Sequence, residues 1–170
     1  MTRIWKEAGF VGNDPWVIET EERKAGEGER AILGLDTFLG VVSDSNEIGF
    51  GVLIAPGDDV TKLQTYLDRV ALVALAFPAF NDGRAFSHAS LLRGRLGFAC
   101  ELRAVGDVLI DQIPLMLRTG IDSFAVTNEV ALKRLEDRKL PAIDLHYQPA
   151  ARASVDLGGF SWRRHATPAR

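Results

Sequence analysis

A single cysteine, Cys100, stands in 170 residues. One thiol excludes an internal disulfide, a cysteine-rich zinc site and a self-contained iron–sulfur cluster, which takes about four thiolates. Long hydrophobic runs are missing as well. No apolar stretch approaches the roughly 18 residues that span a bilayer. Met1 to Gly12, with Lys6 and Glu7, lacks the apolar centre of a secretory signal. The expectation is a cytoplasmic protein with no membrane contact. Positive charge is not in excess. The net charge is −3, so no overall basic field attracts nucleic acid. Gly83, Gly94, Gly97 and Gly106 do not have the spacing of a dinucleotide or P-loop motif. His88, His146 and His165 lie far apart in sequence, and no pair has metal-ligand spacing. No metal site is expected, and no cofactor is named by any motif.

What is present is the composition of an ordinary globular chain, 46% hydrophobic and 25% charged. The length suits one domain with a real core. The stretch from Phe77 to Gly106 organises the rest. An apolar run ends at Phe77 and empties into Asn81-Asp82-Gly83-Arg84. A helical pattern follows from Ser87 to Leu96, and a second apolar run spans Phe98 to Leu102. That order reads as strand, turn, helix, strand.

Along the chain, residues 1–15 show no period. Trp16 to Ile18 and Ala31 to Leu35 are short strand candidates, separated by a charged, glycine-containing loop from Glu19 to Arg30. Asp36 is placed to cap a short helical turn. Ile48 to Ile54 reads as a buried strand, Val60 to Arg69 as an amphipathic helix with Val60, Leu63 and Leu67 on one side, and Ala71 to Phe77 as a strand covered on both faces. Gly97 suits a helix C-terminus. Asp107 starts another helical stretch through Leu117, in which Pro114 either kinks the helix or marks where it begins. Ile121 to Val126 is a strand. Asn128 caps a helix through Leu140, with Val130, Leu132 and Leu135 on its apolar side. Ala142 to Tyr147 alternates like a last strand, and residues 149–170 are expected to form an irregular, partly disordered tail. Strand starts recur about every 25 residues, a spacing that suits repeated βα units. The expected fold is a single α/β domain over residues 1–148 with a mostly parallel sheet, half-(βα)8-barrel-like or open and doubly wound.

If those strands are parallel, their C-terminal ends share one edge, where α/β proteins bind ligands. Asp82, Gly83, Arg84 and Ser87 would then meet Arg103 and Asp107, Asp111 and Gln112, and Thr127 with Asn128. Two arginines beside helix N-termini suit an oxyanion such as sulfate, sulfite, phosphate or a carboxylate. The plainer reading makes Ser87, Asp107 and Asn128 caps and pairs Asp82 with Arg84 to fix the turn. His88 is an acid–base candidate against the plainer reading of a surface histidine. Cys100, within an apolar run, reads as a buried and inert thiol. Arg93 and Arg95 complement a helix C-terminus. Arg163, Arg164 and His165 beside Trp162 make a weak basic tail.

Taken together, Phe80, Asp82, Gly83, Arg84 and Ser87, then Leu91-Leu92-Arg93, then Glu101 through Leu109 with Asp111 and Gln112 resemble the bacterial domain-of-unknown-function 934 family. The likeness is specific over about residues 50–126, and His146-Tyr147-Gln148 adds to it. Members are commonly encoded beside the haemoprotein subunit of sulfite or nitrite reductase. The resemblance therefore implies an accessory of assimilatory sulfite or nitrite reduction, binding an oxyanion or the reductase. The alternatives are a small enzyme acting on an anionic metabolite of sulfur metabolism, and a non-catalytic homodimeric module. This chain has Thr119 where the family usually carries cysteine, and Asn81 where threonine is frequent.

Overall fold

The computed structural model describes residues 2–141. The expected strand at 142–147, the tail at 149–170, His146, His165 and the basic residues near Trp162 lie outside them. Eight strands form one sheet: β1 (Arg3–Lys6), β2 (Gly9–Phe10), β3 (Trp16–Ile18), β4 (Arg30–Gly34), β5 (Phe50–Ile54), β6 (Val70–Phe77), β7 (Glu101–Gly106) and β8 (Ser123–Val126). Their spatial order is β2-β1-β8-β7-β6-β5-β4-β3. From β3 to β8 the neighbours follow chain order and run parallel. A doubly wound sheet would reverse its order at a switch point. This one does not, and it curls as a half-barrel.

The sheet is mixed, where the sequence reading expected a mostly parallel one. The reason is the N-terminal segment. β1 pairs antiparallel with β8, Ile4 beside Ala125, and β2 folds back antiparallel on β1. Strands of four and two residues leave too little alternation to detect among Gly9, Gly12 and Pro15.

The helices are α1 (Leu35–Asp44), α2 (Arg84–Gly94), α3 (Ile113–Arg118) and α4 (Glu129–Glu136). No helix among the described residues is long and apolar enough to cross a membrane. Alternation along each strand separates two faces. Val73, Leu75 and Phe77 of β6, Leu102 and Ala104 of β7, and Phe124 and Val126 of β8 join the main core with Phe38, Leu92, Ile113 and Met116 from the helices. Leu72, Ala74, Val105 and Ile32 face the other way in a smaller cluster.

Several boundaries differ from the expectations for identifiable reasons. Residues Val60–Arg69 wind as a 3-10 helix, with Asp59 accepting from the Thr61 amide at 3.0 Å. Three residues per turn brings Tyr66 toward the core beside the expected Val60, Leu63 and Leu67. Pro114 lies in the first turn of α3, where its missing N–H costs nothing, so that helix starts at Ile113 and not at Asp107. Asp36 falls in the first turn of α1 and provides no side-chain cap. Ser87 is likewise inside α2, whose N-cap is Gly83. On α4, Ala131 and Leu135 face the core while Val130 is 62% exposed. Asn128 does cap α4, accepting from the Ala131 amide at 3.0 Å. β7 begins at Glu101, three residues later than expected. Cys100 therefore stands exposed before the strand, not buried within it.

Candidate functional site

The loop after β6 sets up the strand-end edge. The Asp82 amide donates to the Ala79 carbonyl, closing a turn. Asp82 then grips Arg84 with both oxygens: Nε donates to Oδ1 at 3.0 Å and Nη2 to Oδ2 at 2.6 Å, and the Arg84 amide also donates to Oδ1. Arg84's side chain holds the Asp82 carboxyl below its ordinary range, and Asp82 in turn raises the guanidinium. The pair fixes the turn, as the plainer reading held. Gly83, exposed, passes the chain into α2 without a side-chain cap.

One turn further, half-buried His88 is held neutral to lower pH. Desolvation lowers its value, Asp58, Asp59 and Asp82 oppose, and Arg84 assists. Its Nδ1 is buried without a hydrogen-bond partner. The Asp107 amide donates to the Phe77 carbonyl at 2.7 Å, and Gln112 Nε2 donates to the Phe80 carbonyl at 3.1 Å. These bonds draw the loops after β6 and β7 together, so Asp82, Arg84, Ser87, Asp107, Asp111 and Gln112 share one edge. Gly106 makes the approach feasible. Its φ is +96°, and a Cβ there would overlap the Phe77 carbonyl oxygen. On this edge Phe80 is 60% exposed.

Arg103 is not part of that edge. It lies inside β7, paired with Ala74 of β6, while Gly106 pairs with Phe77 at the strand end. Period-two alternation turns Glu101, Arg103 and Val105 to the concave face. There the Arg103 guanidinium, 3% exposed, meets Asp14 through two bonds of 2.7 Å and Glu101 at 2.8 Å. Glu101 also accepts from Ser123 Oγ at 2.6 Å and from Lys6 Nζ at 2.7 Å. Burial alone would raise the Glu101 carboxyl. The bonds from Lys6, Ser123 and Arg103 together outweigh it and hold the group below the ordinary glutamate value. Burial also works against the Arg103 charge, and Asp14 and Glu101 overcome it. The expected meeting of Arg84 and Arg103 over one anion does not occur, because the strand starts later than its apolar run suggests.

Arg93 lies in the last turn of α2, as expected, and is a staple as well. It donates to the Gly120 carbonyl at 2.9 Å and the Cys100 carbonyl at 2.8 Å, and also binds the Phe98 carbonyl and the Asp122 carboxylate. Asp122 in turn accepts from the Leu102 amide, which fixes the entry to β7. Asp14, Lys6 and Ser123 were not singled out from sequence. Among them only Ser123 sits in a legible strand, and nothing local marks it as a partner of Glu101.

The balance of charge on the edge follows. Asp58, Asp59, Asp82, Asp107 and Asp111 stand against Arg84, Lys62 near Asp59 and a histidine disposed to be neutral. Among the described residues no group of three or more His, Cys, Asp or Glu side chains is placed to hold a metal ion.

No curated protein and no solved structure matches the chain. A family model described as a bacterial protein of unknown function, DUF934, matches residues 51–157. The match takes in both the Phe80–Ser87 turn and the Glu101–Gly106 strand, and the chain belongs to the DUF934 family.

Proposed function

We propose that the protein is a cytoplasmic accessory of sulfite or nitrite reduction that docks on the reductase haemoprotein through its strand-end edge. The observation that carries this reading is Phe80, a 60% exposed aromatic ring in the loop that also bears Asp82. Interfaces draw most of their energy from a few buried aromatic or arginine anchors. Carboxylates around such an anchor speed encounter with a basic patch and fix orientation. The link to the reductase rests on the family resemblance.

The same edge is poorly suited to a free oxyanion. Arg84 is already bound by Asp82, and an incoming anion would meet several more carboxylates. Docking of a protein surface is therefore favoured over capture of sulfite itself. Immobilised full-length protein should retain the haemoprotein at low salt and release it as ionic strength rises. Phe80→Ala should weaken retention at least tenfold with an unchanged melting temperature. No retention by the unaltered chain at micromolar concentrations removes the reading.

A second reading is favoured by one feature, the unpartnered His88 Nδ1 beside Asp58, Asp82 and Arg84. It makes the protein a small enzyme with His88 as acid or base. Under it, His88→Gln abolishes growth on sulfate while leaving reductase retention intact; under docking the variant grows normally.

A further inference from the structure

The end of α4 directs the chain at an edge of the sheet. Arg138 takes a left-handed φ of +55°, and the Lys139 amide donates to the Arg134 carbonyl at 2.8 Å. That turn closes the helix and reverses the chain. Leu140 then returns to the helix-side core. With Leu135, Trp5, Gly9 and Phe10 it lines a cleft of about 560 Å³ between α4 and the β1–β2 ribbon. Arg3 of β1 bonds Glu136 of α4 and ties the two walls together. Pro141 disfavours helical backbone at Leu140 and has no N–H to continue a helix.

β2 is the last strand on this side of the sheet. The Val11 amide donates to the Ile4 carbonyl at 2.8 Å, so alternation turns the N–H and C=O of Phe10 away from β1. A bare edge of this kind invites other chains, and native proteins cover it. The residues after Pro141 are suited to do so. Ile143, Leu145 and Tyr147 alternate with Asp144 and His146, so an extended backbone gathers three apolar side chains on one face. Pro141 alone separates Leu140 from this segment, and no linker carries it elsewhere.

Direction agrees as well. β2 is antiparallel to β1, and β1 to β8, so β2 runs with β8. A strand reached from β8 through α4 by a right-handed crossover also runs with β8. β1 already holds the place beside β8, which makes the outer side of β2 the next one. The family match continues to residue 157 and so takes in this segment.

We propose that residues 142–147 of this chain pair in parallel with β2 as a ninth strand, with Ile143, Leu145 and Tyr147 seated over the cleft between α4 and the ribbon. This seat lies by the first residue of β8, where Lys6 pairs with Ser123, whereas Phe80 follows the end of β6. It does not depend on the docking role.

Nuclear magnetic resonance of the isotope-labelled full-length chain tests this. Cross-strand Overhauser contacts are expected from the Phe10 amide to Hα protons within residues 142–147. Leu145→Asp, which sets a charge against the apolar cleft, should speed hydrogen exchange at the Phe10 amide at least tenfold. Exchange at Val73, in the middle of β6, should not change. Should Leu145→Asp not fold, the contacts in the unaltered chain decide alone. Absence of those contacts overturns the proposal, and so does unaltered Phe10 exchange in the folded variant. Contacts and protection that disappear together on dilution mean that the edge is covered by a second copy, and they overturn it too.

Discussion

Arg84 and Arg103 belong to neighbouring parts of one motif and end in opposite settings. Arg84 is exposed at the start of α2 and is held by a single carboxylate two residues away. Arg103 is buried and held by Asp14 and Glu101, which brings the segment before β3 against β7. The first pairing is local and shapes a turn. The second is long-range and joins elements 89 residues apart. An arginine's chemistry therefore says little about its role until burial and the reach of its partner are known. Surface pairs contribute little to stability, and breaking a buried pair strands a charge without water.

The contrast can be broken most readily at Arg103. Replacing it with methionine keeps the bulk but leaves Asp14 without its partner and Glu101 with Lys6 and Ser123 alone, so stability should fall by about 3–5 kcal/mol in denaturant unfolding. A loss below about 1 kcal/mol would mean that the network is no more demanding than a surface pair. Gly106→Ala comes next, at about 2–3 kcal/mol, because the new side chain meets both a positive φ and the Phe77 carbonyl. A mild effect there would show that the loops after β6 and β7 can separate freely.

The acid limb of stability sharpens the comparison. Glu101's native value lies below its ordinary 4.5, so its contribution is fully present above that pH and is lost as pH falls through the native value. Glu101→Gln should flatten this part of the pH–stability curve while lowering stability near neutrality. An unchanged acid slope would place the titrating groups elsewhere. The smallest effect belongs to the edge. Arg84→Ala should leave the unfolding midpoint where it is, since its pairing is solvent-exposed. Any change should appear in partner retention alone.

Strong signals in the sequence are local ones. β6 is an eight-residue apolar run, and it appears within one residue of its expected start. The Asn128 cap is written in the residue and the amide it binds. Asp82 and Arg84, two residues apart, pair as proximity suggests. The missed features are those decided at a distance. Phe98 extends the apolar run before β7, but it packs into the helix-side core near Arg93 in the segment before the strand begins. Sliding the strand start to Glu101 moves Arg103 from its end to its middle. Period-two alternation over Glu101, Leu102, Arg103, Ala104 and Val105 carries that information, since it sets two charged residues on one face. Nothing near them in the chain announces Asp14 or Lys6 as their partners. The half-barrel order was within reach because successive strands are neighbours from β3 to β8. The antiparallel closure by β1 was not, because its partner lies near the far end of the described chain.

That closure has a consequence for synthesis. Arg3 sits beside Val126 and Lys6 beside Ser123, so β1 leaves the ribosome long before the strand it pairs with. Until the chain has grown past residue 126, the N-terminal ribbon lacks its neighbour and β8 lacks its outer cover. Such distant pairing slows assembly and leaves backbone edges open to other chains. Only once residue 126 has been made can the ribbon and its neighbour cover one another.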